Sequence, residues 1–345
     1  MNENRAFFRE TFERIVMDTI GKPEIDMAEN RQLPAAYFDA LVENGITQMF
    51  LPETSGGIGA SLGDGADILR AAGYVAAPGP LLETMLGQQL LVRGGLQTAD
   101  GLLSLVFLDE VSGLDGSVWT GAALHDVPWP EAVKKVLVVV REGDKARLIV
   151  SEADGWTILP GADAAGEPCD SLTNSSMEVV VKDVGDFDGW LRAAAILRGA
   201  QMLGCAEWAF QRSVEYAGER KQFGRKIGQF QAIQQMLAEL AGHILASSCI
   251  VEAAAEEGNP ILIASARSRL GDATDAAIAI SHQIHGALGF SREYALNART
   301  RRLMAWRDNF GSVGYWRRAL ASEFAGLDRD GFWPAITDAS TASPG

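Results

Sequence analysis

The densest group of side chains able to hold a charged ligand lies in Glu219-Arg220-Lys221-Gln222-Phe223-Gly224-Arg225-Lys226, where four cations surround a Phe-Gly step. In a chain of formal net charge −15, such a cluster is a candidate anion site, because a guanidinium binds phosphate bidentately. From charge alone, a solvated basic loop is the competing reading. A second candidate, Leu51-Pro52-Glu53-Thr54-Ser55-Gly56-Gly57-Ile58-Gly59, is rich in glycine but lacks the Gly-Lys-Ser/Thr end of a phosphate loop. It reads as a loop between helices. The four histidines (His125, His243, His282, His285) include no HExxH spacing, so no metal site is expected. Cys169, Cys205 and Cys249 form no CxxC pair and read as reduced structural thiols.

The elements that must position these groups change type twice along the chain. In the first 98 residues, Phe8, Phe12, Ile15 and Thr19 follow a one-face helical period, and 33–44 and 63–76 give two further helices. From 102 to 181 the pattern switches to short β-prone runs, 102–108, 136–140, 148–150 and 177–181, separated by Gly, Asp and Pro. These predict a compact antiparallel β domain ending near Phe187. Beyond Leu191 the helical period returns. Ile196, Ala200, Leu203, Phe210, Val214 and Ala217 share one face, and Phe230, Ile233, Leu237, Leu240, Ile244 and Val251 form a second stripe. Gly258-Asn259-Pro260 ends that helix. A third helix runs from about Leu262 to Gly286, and a fourth covers 298–325 with an interruption around Phe310-Gly311. The expected domains are therefore 1–98 helical, 99–188 β, 189–330 a four-helix bundle and 331–345 a flexible tail.

Composition narrows the function classes. The strong negative charge opposes a broad nucleic-acid surface, since backbone phosphates would be repelled. No run of about 18 uncharged apolar residues is present, so no membrane span is expected. The N-terminus MNENRAFFRETFERI lacks the basic start and apolar core of a signal peptide, so a cytoplasmic location is expected.

The segment RKQFGRKIGQFQAIQQMLAEL closely resembles the C-terminal-domain signature of acyl-CoA dehydrogenases. Gln283-Ile284-His285-Gly286-Ala287-Leu288-Gly289-Phe290 is similar to that family's Gln-x-x-Gly-Gly-x-Gly-(Phe/Tyr) stretch, and PETSGGIGA to its Pro-Glu-x-x-Gly-Gly-x-Gly loop. The resemblance spans essentially the whole chain and is weakest in the β domain. It implies a mostly α fold with a small β domain between two helical ones, and an FAD cofactor shared across a subunit interface. By the same resemblance Arg220, Gln222, Phe223, Gly224, Gln283 and Gly286 hold its pyrophosphate and adenine end. Ala287 stands where the family has a second glycine.

Two departures qualify the implied chemistry. The family's flavin-ring motifs correspond to Leu108-Asp109-Glu110 and to 121–128, and neither pattern is present. The usual glutamate base falls on Phe310, which cannot take a proton. Counting back from Gln283, by the spacing of members that carry the base on an earlier helix, lands on Asp272. An acyl-CoA substrate, electron-transfer flavoprotein as acceptor and a tetramer with itself or a second subunit follow from the resemblance. The short length and the degraded motifs resemble the paired acyl-CoA dehydrogenase subunits of bacterial steroid side-chain degradation. Three readings remain: a desaturating subunit with Asp272 as base, a structural partner lending half of an FAD site, and a flavin monooxygenase on the same fold.

Overall fold

The computed structural model describes residues 3–328 together with 331, 333 and 334; most of the expected tail, 335–345, lies outside the described residues. Five helices come first: α1 (Glu3–Thr19), α2 (Lys22–Glu29), α3 (Ala35–Glu43), α4 (Leu62–Val75) and α5 (Leu81–Arg93). The expected face of α1 is turned inward at Phe12 and Ile15, which are buried. Helix α2 starts at Lys22-Pro23, where proline costs no helical hydrogen bond, and the Glu24 carboxylate accepts from the Gly21 N–H at 2.9 Å.

The middle of the chain forms two four-stranded sheets. One has the order β1 (Leu103–Leu108), β4 (Lys135–Glu142), β5 (Lys145–Glu152), β8 (Val180–Asp186); the other has β2 (Leu114–Asp115), β3 (Val118–Pro128), β7 (Cys169–Glu178), β6 (Thr157–Leu159). All pairs within them are antiparallel except β1 with β4, which is parallel in the register Leu103 to Lys135. The run Val136–Val140 is buried residue after residue, the signature of a strand covered on both faces, where parallel pairing is at home. Strand β3, unmarked by the sequence pattern, carries a bulge between Leu124 and Val127, with Asp126 at φ 53°. Arg31 ties the segment after α2 to this region. Its guanidinium donates to both oxygens of the fully buried Asp170 carboxylate, at 3.0 and 2.7 Å, and to Glu131.

The C-terminal part contains α6 (Phe187–Glu219), a short hairpin of β9 (Lys221–Gln222) and β10 (Arg225–Lys226), then α7 (Gln231–Glu257), α8 (Pro260–His285), α9 (Ala295–Trp306) and α10 (Val313–Phe324). The break at 258–260 is built as the residues require: Gly258 closes α7 at φ 65°, and the Asn259 side chain accepts from the Ile261 and Leu262 N–H groups at the start of α8. The expected interruption of the last helix separates α9 from α10, and Ser312 caps α10 through the Tyr315 N–H. Met202, Cys205, Ala217, Leu240, Ile244, Ala277, Ile284 and Leu303 share one buried cluster. Along α7, Leu240, Ile244 and Val251 are buried, whereas Phe230, Ile233 and Leu237 pack only partly; on α6, Val214 is exposed. Helix α7 is long and apolar enough to cross a membrane by length and composition alone. Glu239 and Glu252 interrupt its apolar run, so it holds no uncharged stretch of the expected kind. Its buried stripe packed on α8 is what a bundle helix presents.

Contacts divide the chain into two compact units, residues 1–65 with 77–194, and residues 66–76 with those from Ala195 onward. Helices α4 and α6 contribute residues to both.

Candidate functional site

The basic segment after α6 folds into a tight hairpin. The Arg220 N–H bonds the Tyr216 carbonyl at 2.8 Å, and the Ile227 N–H closes the base on the Arg220 carbonyl at 2.9 Å. Lys221 pairs with Lys226 and Gln222 with Arg225, leaving Phe223-Gly224 as a two-residue loop. Both loop residues have positive φ, 51° and 79°, as a type I′ turn requires. Gly224 adopts this freely; a phenylalanine there is strained by about 1–2 kcal/mol. Phe223 is 90% exposed and meets Phe230 edge to face, with ring centroids 6.2 Å apart. An exposed, strained aromatic at a hairpin tip is the kind of residue kept for a ligand rather than for stability.

The cations around it are equally unspent. Arg220, Lys221, Arg225 and Lys226 are exposed, and none pairs with a carboxylate among the described residues. Arg225 instead lies over the Phe230 ring, 4.1 Å from its centroid. The nearby Glu219 faces Arg212 at 3.3 Å. The hairpin therefore offers a local positive field on a protein of net charge −15.

The end of α8 is beside this hairpin. The Tyr216 ring stacks on His285 with centroids 4.5 Å apart and planes 23° from parallel. Ile227 and Ile284 belong to the same buried cluster. Gln283 and Gly286 are exposed there, and the Gln283 amide has no partner among the described residues. Gly286 has φ 59° and ψ −141°, a conformation open to glycine and strained for any other residue, with no atom within 4 Å of where a Cβ would stand. The hairpin that carries Arg220, Gln222, Phe223 and Gly224 and the α8 end that carries Gln283 and Gly286 are linked through the Tyr216–His285 stack. Unpaired guanidinium and amide donors with open backbone approach fit the ADP end of a dinucleotide.

Asp272 is elsewhere. It precedes Gln283 by 11 residues on α8, about 16 Å along the axis at 1.5 Å per residue. It is exposed, and its carboxylate accepts from Arg317 Nη2 at 2.7 Å, each side chain about half exposed. Phe310 lies in the turn between α9 and α10, at φ 55°. That turn is held by the buried Arg267, whose Nη2 donates to the carbonyls of Arg307, Asn309 and Gly311 at 3.1, 2.8 and 3.3 Å. Burial pushes the Arg267 guanidinium down to about 10.

The arginines of 299–318 do not form one surface cluster. Arg299 and Arg302 are buried; Arg299 lies 3.8 Å over the Trp208 ring and donates to the Tyr74 and Ala295 carbonyls. Arg307 pairs with Asp275. Of the stretches matched to flavin-ring motifs, 121–128 is part of β3, and Asp109 meets Arg141 at 3.1 Å. The 51–59 segment is a turn between α3 and α4, with a short 3-10 helix at Glu53–Ser55.

Sequence reasoning missed two residues beside the site. His282 and His285 lie buried in the last turn of α8. The available signal was their spacing of three, which places both on one helix face.

The family described as "Acyl-CoA dehydrogenase, C-terminal domain" matches residues 189–322, and "Acyl-CoA dehydrogenase, N-terminal domain" matches residues 2–122. The chain is 30% identical over 306 residues to Acyl-CoA dehydrogenase IpdE2 of Mycobacterium tuberculosis, covering 86% of this chain and 89% of that protein. Among solved structures, the ChsE4-ChsE5 complex from Mycobacterium tuberculosis is similar with a TM-score of 0.83 at 20% identity, over 95% of this chain and 99% of that one. A Tcur3481-Tcur3483 steroid ACAD variant is similar with a TM-score of 0.82 at 21% identity, over 94% and 98%.

Proposed function

The chain belongs to the acyl-CoA dehydrogenase family, oxidoreductases acting on CH–CH bonds, and on that premise we propose that it is a subunit of an FAD-dependent enzyme that introduces an α,β double bond into an acyl-CoA thioester. Its own contribution is the adenine and pyrophosphate end of an FAD site completed by a neighbouring subunit. The observation that carries this reading is the exposed hairpin of unpaired cations at 220–226, tied by the Tyr216–His285 stack to the α8 end that bears Gln283 and Gly286.

Arg220 would take the pyrophosphate, Gln222 and Gln283 would offer amide hydrogen bonds, and Phe223 an apolar surface. Gly224 and Gly286 leave the backbone approachable. Bound there, FAD supplies the two-electron acceptor for the desaturation. The substrate side needs a carboxylate to remove the proton next to the thioester carbonyl. On this chain Asp272 is the candidate, with one carboxylate oxygen already accepting from Arg317 Nη2. That ion pair, together with Phe310 at the family's usual base position, favours a second reading in which the partner subunit carries the base and this chain is structural. The partner is a second acyl-CoA dehydrogenase subunit or another copy of this chain, with electron-transfer flavoprotein as acceptor, in the cytoplasm.

The test is to count FAD per chain in the protein expressed alone and co-expressed with a candidate partner subunit. Alone it is expected to purify nearly colourless and to gain flavin in the complex. A yellow, active assembly of this chain by itself with one FAD per chain would refute the need for a different partner.

A further inference from the structure

The last turn of α8 carries two imidazoles under the segment that bears Gln283 and Gly286. His285 Nδ1 lies 2.8 Å from the Ser281 carbonyl oxygen, an acceptor only, so Nδ1 carries the proton and Nε2 has a bare lone pair. His282 Nε2 lies 2.9 Å from Thr300 Oγ1. With the Thr300 hydroxyl given to the Leu296 or Asn297 carbonyl, each 3.2 Å away, Nε2 donates and Nδ1 is bare, the tautomer that leaves no buried ring N–H unpaired. Both bare nitrogens, His282 Nδ1 and His285 Nε2, are buried without a partner.

These rings hold the segment 286–290 in place. His282 packs on Phe290 with centroids 4.3 Å apart, and Gly289 sits so close that an added Cβ would stand 3.1 Å from His282 Nδ1. His285 is stacked on Tyr216 and tilted against Tyr294 at 5.3 Å. The charged groups facing the pair are each other and Arg212, which binds the Tyr294 hydroxyl; among the described residues no carboxylate bonds either ring. A helix C-terminus by itself favours imidazolium. Here burial outweighs it and holds both rings below the usual histidine range, with Arg212 and the second imidazole adding to the effect at His285.

We propose that His282 and His285, in their neutral forms, are positioning residues for the 286–290 segment, and that acid releases that segment and with it the adenine end of the cofactor. The proposal rests on the FAD reading above. Protonation would give each ring a second N–H with no acceptor, and place two cations side by side in a desolvated turn. For a base held neutral in the fold, the unfolded chain takes the proton first. The segment is therefore stable above the unfolded histidine value near 6.5, and loosens as pH falls below it.

The experiment combines three measurements on the full chain. Histidine proton signals are titrated by NMR; both imidazoles are expected to titrate below the free value. Amide exchange protection of 286–290 without cofactor is expected to fall roughly tenfold between pH 7.5 and 5.5, while α7 keeps its protection. The pair variant His282→Gln with His285→Phe, which keeps a donor to Thr300 and a ring against Tyr216, is expected to show a flat profile. Free-flavin fluorescence then reads FAD release from the assembled protein over the same range. Ordinary histidine titration, or protection that does not change with pH, overturns the latch whether or not the variants fold. A pH-dependent segment in a protein that never binds FAD would leave the latch standing and remove its link to the cofactor.

Discussion

Arg220→Ala isolates what the hairpin is for. The Arg220 side chain is exposed and forms no hydrogen bond or ion pair among the described residues, so its truncation should leave stability within about 0.5 kcal/mol of wild type. If the guanidinium binds pyrophosphate, one or more charge-assisted hydrogen bonds disappear, each worth about 1.5–3 kcal/mol. At 1.36 kcal/mol per tenfold, the loss of a single one corresponds to about 10- to 150-fold weaker FAD binding. Lysine in its place keeps the charge but not the bidentate fork, and should fall between. Arg225→Ala serves as the neighbouring control. Its main contact is the Phe230 ring, worth about 0.5–1 kcal/mol at an exposed site, so it should lower stability slightly and cofactor affinity less. The assay is FAD stoichiometry and affinity in the assembled protein, read by flavin fluorescence, with thermal unfolding in parallel. Unchanged FAD affinity in Arg220→Ala would refute the assignment; a large fall in Tm would show that the arginine serves the fold instead.

Asp272→Asn removes half of an exposed ion pair, so stability should change by less than about 1 kcal/mol. Anaerobic flavin reduction by a matched acyl-CoA should stay near the wild-type rate, and a fall of about 10²–10⁴ would make Asp272 the base after all. Asp170→Ala leaves Arg31 without the fully buried carboxylate it bonds twice. The cost should be about 2–4 kcal/mol, below the full penalty for a broken buried pair because Arg31 is partly solvated; Glu131→Ala, on the same arginine but exposed, should cost less than about 1 kcal/mol by chemical denaturation. The Arg141 guanidinium holds the Asp188 carboxyl below its usual range. That pair should stabilise the protein above the unfolded aspartate value and lose its effect as pH falls through the acid range, a loss that Asp188→Asn would abolish in urea titrations.

The sequence alone determined the order of structure and the groups available for binding. Helical periodicity, the switch to short β-prone runs and the stop at Gly258-Asn259-Pro260 depend on neighbours a few residues apart; the helical stripes, the switch and the stop appear where the pattern put them, whereas the run 177–181 is divided at Val179 between β7 and β8, which belong to different sheets. The hairpin residues were legible as a cluster because four cations and a Phe-Gly step lie within one short stretch. Tertiary structure decided which of those residues face the same place. Only packing of α6 against α8, with Tyr216 on His285, links the end of α8 to the base of the hairpin, more than sixty residues away in the chain. Burial likewise separates residues of identical type: Arg299 and Arg302 are interior while Arg220 is free in solvent. The parallel pairing of β1 with β4 and the bare nitrogens of His282 and His285 could not be read in advance. Strand partners and hydrogen-bond satisfaction depend on which distant groups fill the space around a side chain, and no local pattern encodes that.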